Sequence, residues 1–172
     1  DALKRLYQVA QPRLILATSL LILSCGSKQK ESLKKSEIHY NLGVNPLHNQ
    51  ELGRAYTELM RAVKIYPENE QAHYGLGLVH MARRKYKEAI TSFQEAIRID
   101  DRYSDAHNAL SQVYLELGRF REAVEEAKVA LSNVLYGSQH LALRNMAIAL
   151  HRQGKTKEAL GRLREAIQFQ SN

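Results

Sequence analysis

Four pairs of alanines, each pair spaced seven residues apart, impose a period on this chain. They are Ala55 and Ala62, Ala89 and Ala96, Ala123 and Ala130, and Ala159 and Ala166, and successive pairs are 34, 34 and 36 residues apart. Seven residues are two turns of an α-helix, so each pair lies on one helix face. Other positions keep the same phase. Twelve residues before each first alanine stands a small residue: Gly43, Gly77, Ser111 and Ala147. Just ahead of it comes an apolar one: Leu42, Leu76, Leu110 and Met146. Four after the first alanine are Leu59, Phe93, Ala127 and Leu163, and five before it Gln50, Arg84, Gly118 and Gly154 mark a turn. A pair of antiparallel helices satisfies all of this. Small residues let the first helix (A) approach the second (B), and larger apolar residues fill the layers between. One pair cannot bury both its faces, so neighbours must stack into a solenoid.

This alanine pattern at a 34-residue period resembles the tetratricopeptide repeat. The expected fold is all-α, a tetratricopeptide (TPR) solenoid of about four helix-turn-helix repeats in a right-handed superhelix. The repeats fall at about 36–69, 70–103, 104–137 and 140–172. Helices A and B are expected at 36–49 and 52–66, 70–83 and 86–99, 104–117 and 120–133, and 140–153 and 156–169. Pro67 sits where such repeats often end helix B. Pro46 lies inside the first helix A and is expected to kink or shorten it. The last spacing brings two extra residues in near Leu135, Tyr136, Gly137 and Ser138. The outer face of 156–169 carries Leu160, Leu163 and Ile167, expected to stay partly exposed unless another chain or further repeats cover it.

Ahead of the repeats the composition changes. Lys4, Arg5 and Arg13 precede a ten-residue apolar or small run, 14–23. Ten helical residues rise about 15 Å, roughly half a hydrocarbon core, so the run is too short to span. It matches the h-region of a secretory signal. The run ends at Ser24, Cys25 and Gly26, and a small residue before a lone cysteine at this place resembles the bacterial lipobox. The resemblance implies cleavage after 1–24 and acylation of Cys25, the only cysteine of the chain, with palmitate-like chains that hold the protein on a membrane. A buried structural thiol and an uncleaved short anchor are the alternatives. Residues 25–35, polar beyond the cysteine and without periodicity, are expected to be a flexible tether. The chain opens on Asp1 rather than Met, so it is expected to be part of a longer reading frame.

The formal charge is +7, but the basic residues are spread among acids, with Arg83, Arg84, Lys85 and Lys87 the one tight cluster in the repeats. No basic stripe with stacking residues beside it suggests nucleic acid. A single cysteine excludes an internal disulfide framework and a Cys-based zinc site. His39, His73 and His107 are 34 apart in the same helix A position, where the repeat usually carries a large ring, and packing between helices is the expected role. Repeats stand roughly 10 Å apart, too far for one metal to join them, and His73 with His80 is the weak remaining pair. No nucleophile, base and orienting group are brought together. The expectation is a non-enzyme, without cofactor or metal.

Function is expected on the concave side, which helix A lines. Counting from the small residue, repeat one offers Tyr40, Val44 and Leu47. Repeat two offers Tyr74, Leu78, Met81 and Ala82. Repeat three is more polar, with Asn108, Gln112, Leu115 and Glu116, and repeat four gives Arg144, Ile148, His151 and Arg152. An apolar strip with two tyrosines suits an amphipathic helix or an extended apolar peptide. Simple filling between helices is the alternative. The Lys/Asn array that clamps acidic C-termini in some such domains is missing from the first three repeats.

A lipobox followed by these repeats resembles the type IV pilus secretin pilotins, the PilF/PilW/Tgl group. The stretch Ala130-Leu-Ser-Asn-Val-Leu-Tyr-Gly-Ser-Gln, then Leu143-Arg-Asn-Met-Ala and Gly154-Lys-Thr-Lys-Glu-Ala159, is similar to that family's junction between third and fourth repeats. There a Leu-Tyr pair follows helix B and an Asn (here Asn145) stands in the next helix A. The resemblance implies an outer-membrane lipoprotein facing the periplasm. It implies binding of secretin subunits, with other pilus-machine proteins as further partners, and promotion of pore assembly or localisation for pilus biogenesis and motility. It also implies more repeats than the four in phase here. The alternative is a generic periplasmic scaffold for cell-wall or outer-membrane protein assembly, and neighbouring pilus or secretin genes would separate the two.

Overall fold

The computed structural model describes residues 27–170, and the apolar run 14–23 and Cys25 lie outside them. Within that range the chain forms eight α-helices and no strand. They are α1 (27–48), α2 (Leu52–Ile65), α3 (Glu70–Ala82), α4 (Tyr86–Ile99), α5 (Ser104–Glu116), α6 (Phe120–Ser132), α7 (Gln139–Arg152) and α8 (Thr156–Gln170). None is long and apolar enough to cross a membrane.

Each repeat is closed at its turn by a residue in the left-handed region. Gln50, Arg84, Gly118 and Gly154 have φ of 61°, 56°, 71° and 81°. The hydrogen bonds repeat with them. Arg84 N donates to Met81 O (2.9 Å) and Lys85 N to His80 O (2.8 Å), and Gly118 N to Leu115 O (3.0 Å) and Arg119 N to Tyr114 O (2.8 Å). This is the Schellman closure, which satisfies the last carbonyls of helix A and turns the chain back. Glycine takes the conformation freely; Gln50 and Arg84 take it at a cost of about 1 kcal/mol each.

Between the helices the alanines do what their spacing requires. Ala55, Ala62, Ala89, Ala96, Ala123, Ala127 and Ala130 are fully buried. The small residue of helix A and the larger one of helix B are matched in size. A Cβ added at Gly77 would meet the Phe93 ring at 2.3 Å, and one at Gly43 would meet Leu59 Cγ at 2.9 Å. Where the B residue shrinks to Ala127, helix A has room for Ser111, whose Oγ donates to Ala123 O at 2.7 Å.

Helices pair within each repeat (α3 with α4, α5 with α6, α7 with α8) and between repeats (α2 with α3, α4 with α5, α6 with α7). Helices A also reach one another, α3 to α5 and α5 to α7, while among α2, α4, α6 and α8 no pair is in contact. The A side is therefore the inner, concave side of the stack. A buried polar relay ties the first two repeats: Asn69 Nδ2 donates to Ser36 Oγ (2.7 Å), and Ser36 Oγ donates to Ala62 O (2.8 Å). Asn69 Oδ1 also caps α3 by accepting from Ala72 N at 2.9 Å.

Two expectations need correction. From residue 27 onward, the segment expected to be a flexible tether (25–35) is helical and opens α1. Its Lys, Gln and Glu are good helix formers, and Glu31 pairs with Lys35 one turn on, at 2.7 Å. Absence of apolar periodicity meant a polar helix here, not a loop. Of the two effects expected of Pro46, a kink or a shortening of helix A, the shortening does not occur. α1 runs to 48, the counterpart of 82, 116 and 152 in the other repeats. Proline two residues before a helix end removes a single backbone bond, and its ring is buried.

Candidate functional site: a tyrosine-lined concave face

Helices α1, α3, α5 and α7 place the expected strip along the inner side. Tyr40, Val44, Leu47, Tyr74, Leu78, Met81, Asn108 and Gln112 are all half-buried. The strip is therefore neither a free surface nor pure core. Tyr40 and Leu47 pack against the Ala55, Leu59, Leu76 and Val79 cluster, while Tyr74, Leu78 and Met81 pack against the cluster around Phe93. Gln112 lines a cleft of about 340 Å³ with Leu115, Glu116, Arg144, Asn145 and Ile148, so the third and fourth repeats continue the hollow.

Two tyrosines beyond the expected set join the strip. Tyr103 precedes α5, and its ring lies 5.2 Å from that of Tyr74, centroid to centroid. Tyr74 in turn leans on Phe93 at 5.8 Å. Tyr136, in the two-residue insertion, is buried against Ala130 and Ala142. Its Oη lies within hydrogen-bonding reach of the Asp105 and Asn108 side chains. Asn108 Oδ1 is already engaged, accepting from Asn145 Nδ2 at 2.9 Å.

The electrostatics of this cluster have one sign. Burial raises the phenol pKa of Tyr74 to about 12, with Asp105 adding to the rise. Burial likewise raises Tyr40, with Asp105 and Glu70 contributing, pushes Tyr103 further up beside the same two carboxylates, and pushes Tyr136 up beside Asp105. All four phenols stay protonated near neutral pH, as hydrogen-bond donors and as π faces. Asp105 and Glu70 stand in the first turns of α5 and α3, where the helix dipole favours a carboxylate.

The three periodic histidines are held by local contacts. Nδ1 of His39 lies 2.7 Å from Glu58, and Nδ1 of His107 lies 2.7 Å from Glu126, in both cases a carboxylate nineteen residues on in helix B of the same repeat. His73 Nε2 meets Pro67 O at 2.9 Å. Burial acts to lower the His107 pKa, but the hydrogen bond to Glu126 and the Asp101 carbonyl outweigh it, and the net shift is upward. His80 sits edge-on to Tyr56 at 5.7 Å and is lowered by burial. Among the described residues no cluster of three or more His, Cys, Asp or Glu could hold a metal. Sequence reasoning missed the carboxylate partners. Their signal was present, since Glu58 and Glu126 are themselves two periods apart.

On α8 the apolar residues Leu160, Leu163, Ile167 and Phe169 are exposed, and Leu160 and Leu163 line a cleft of about 540 Å³ with Ile148, His151 and Arg152.

The same architecture recurs in solved structures. The chain is similar to PilF of Pseudomonas aeruginosa, with 21% identity, a TM-score of 0.77, and 84% of this chain covering 64% of that one. It is similar to PilW, described as a widely conserved type IV pilus biogenesis factor, with 23% identity, a TM-score of 0.75, and 78% of this chain covering 62% of that one. MamA matches at 24% identity and a TM-score of 0.71, with 83% of this chain against 85% of that one. The chain thus spans a little under two thirds of the length of PilF and PilW. No curated protein sequence matches it. Models of the tetratricopeptide repeat match residues 68–134 and 108–172. These two matches run over the second to fourth alanine pairs, in the phase read from the sequence, and the chain belongs to the tetratricopeptide-repeat family.

Proposed function

We propose that this protein is a lipid-anchored pilotin. In this reading it sits on the periplasmic face of the outer membrane, binds secretin subunits without catalysing a reaction, and promotes assembly or localisation of the type IV pilus secretin pore. The observation that carries the reading is the joint presence of a lipobox-like Cys25 and a solenoid whose shape follows PilF and PilW. Neither feature alone would suffice, because the repeat serves many partners. The partner-facing surface is the concave strip, half-buried and apolar in its first two repeats, which suits an amphipathic helix laid along it.

The test has two parts. Mass spectrometry of protein from its native membrane should find Cys25 as the acylated first residue; an intact 1–24 segment or an unmodified thiol overturns the anchor. Secretin multimers should then be lost, or left in the inner membrane, in cells that lack the protein. A strain with normal secretin multimers in the outer membrane overturns the pilotin role. A second reading, a periplasmic scaffold for cell-wall or outer-membrane protein assembly, is kept on one observation. The likeness to MamA spans 85% of that protein, so the fold is not peculiar to pilus factors.

A further inference from the structure

Each internal junction of the stack joins helix B of one repeat to helix A of the next, α2 with α3, α4 with α5 and α6 with α7. The B side uses the first and fourth residues after the leading alanine: Tyr56 and Leu59, Ile90 and Phe93, Val124 and Ala127, all buried or half-buried. Leu59 lies so close to α3 that a Cβ at Gly75 would meet its Cδ2 at 2.8 Å. The A side brings the apolar residue before the small one, buried at Leu76, Leu110 and Met146, and an alanine four residues earlier, buried at Ala72, Ala106 and Ala142. The two ends of the stack expose one half of this junction each. On α8 the B positions are Leu160 and Leu163, 52% and 40% exposed, and on α1 the A positions are Ile38 and Leu42, 57% and 53% exposed. Leu160 and Leu163 line the cleft of about 540 Å³ on α8, where a following helix A would lie. Two internal junctions are also tied by a side chain six residues after the small one. Arg83 Nη2 donates to Leu52 O (2.8 Å) and Gln153 Nε2 to Phe120 O (2.9 Å), each acceptor being the first residue of the preceding helix B. The same count from Gly43 reaches Asn49, an exposed amide, and the first residue of α8 is Thr156.

We propose that α1 of a second copy of this chain packs on α8, so that copies associate head to tail and the contact continues the solenoid. Leu42 of the second copy then enters the cleft beside Leu160 and Leu163, and Asn49 of that copy comes to the start of α8 as a donor for Thr156 O. Asn41 joins the contact as its counterpart Asn145 does at the α6–α7 junction, where that asparagine is buried. A second copy is the fitting occupant because one chain carries both complementary halves, whereas an unrelated partner would match only one. The contact is heterologous, so it closes into a ring or runs on as a filament. It goes beyond the pilotin reading and does not depend on it.

Sedimentation velocity of the full chain in mild detergent provides the test. The average mass should rise with concentration past that of a dimer. Leu42→Glu and Leu163→Glu, both at exposed positions and expected to keep their helicity, should each raise the dissociation constant roughly tenfold or more. A mixture of the two variants should recover dimers and nothing larger, because the α8 of one copy and the α1 of the other remain intact. Should either variant lose helicity, Leu42→Cys and Leu163→Cys in a Cys25→Ser background give the same readout: oxidation should link the mixture and neither variant alone. A mixture no more associated than its components overturns the head-to-tail contact. So does a Leu42→Glu chain that still dimerises, the mark of an α8-to-α8 contact, and so does association that neither substitution weakens. Parent copies that stay monomeric at every concentration overturn it as well, whether α8 is covered by further repeats of a longer reading frame or by another partner.

Discussion

The size match between Gly77 and Phe93 can be put to a test in which one substitution changes sign with its position. In Gly77→Ala the new Cβ would lie 2.3, 2.5 and 2.8 Å from three carbons of a fully buried ring. Carbon atoms pack best at about 3.5–4.0 Å, so ring and helix must part by roughly 1 Å. Overpacking of this kind costs about 1–3 kcal/mol. Alanine recovers about 1 kcal/mol as a better helix former, leaving a net loss of roughly 1–2 kcal/mol. At Gly53, on exposed α2, and at Gly161 on α8, an added Cβ meets nothing within 4 Å. There only the helix term remains, and Ala should stabilise by up to about 1 kcal/mol. Urea unfolding followed by circular dichroism at 222 nm reads all three, with the midpoint and slope compared because a stack of repeats can unfold in steps. Adding Phe93→Ala to Gly77→Ser recreates the Ser111 and Ala127 pair of the third repeat. Phe93→Ala alone costs about 3–5 kcal/mol, and the pair should cost measurably less than the sum of its single variants. A Gly77→Ala protein as stable as the parent, or Gly53→Ala as damaging as Gly77→Ala, would refute the idea that this contact sets the A-to-B spacing.

Other outcomes follow from the same geometry. Arg84→Gly should stabilise by about 0.5–1 kcal/mol and Gly118→Ala should destabilise by about 1–2 kcal/mol, both read by thermal melting, because each occupies the left-handed turn. Glu126→Gln should lower the melting temperature more at pH 5.5 than at pH 8. The folded pKa of His107 is raised, so the stability it contributes is fully present below its unfolded value near 6.5 and fades as pH rises through the folded one. An equal loss at both pH values would place the pair's contribution elsewhere. In the groove, Val44→Ser with Leu78→Ser should weaken capture of a concave-face peptide by about thirtyfold. That corresponds to roughly 2 kcal/mol for the part of the two side chains still exposed, measured by titration calorimetry with helicity unchanged.

The repeat was legible because it rests on excluded volume. Ala55, Ala89, Ala123 and Ala159 are all buried between helices, and a packing rule repeated four times leaves a sequence trace. The turn positions were equally plain, since Gly118 and Gly154 stand at the same phase as the positive-φ Gln50 and Arg84. What escaped the sequence depended on partners rather than on period. The helical start of α1 is stabilised by polar pairs such as Glu31 with Lys35, which carry no apolar stripe. Pro46 was expected to kink or shorten α1 because the rule for proline is written for helix interiors, and here the helix ends two residues later.

The candidate site shows the same division more sharply. Tyr40 and Tyr74 are periodic, one repeat apart on helix A, and so were found by counting. Tyr103 and Tyr136 are not periodic with them. Tyr103 lies in the loop before α5, and Tyr136 lies in the stretch that lengthens the last spacing from 34 to 36. A strict repeat would place equivalent residues at equivalent heights along the stack and could not bring Tyr136 beside Asp105. The insertion breaks the period, and it carries Tyr136, buried against Ala130 and Ala142 and next to Asn108 of the helix-A strip. The departure from the period, not the period, is therefore where this solenoid acquires a local chemistry of its own. Deleting Leu135 and Gly137 should restore the 34-residue spacing and keep the stack helical. If the insertion sets Tyr136 against Asn108 of the concave strip, the deletion should weaken peptide binding along α5 and α7 while apolar binding along α1 and α3 persists. Unchanged peptide affinity in a folded deletion variant would show that the insertion serves only to connect α6 with α7.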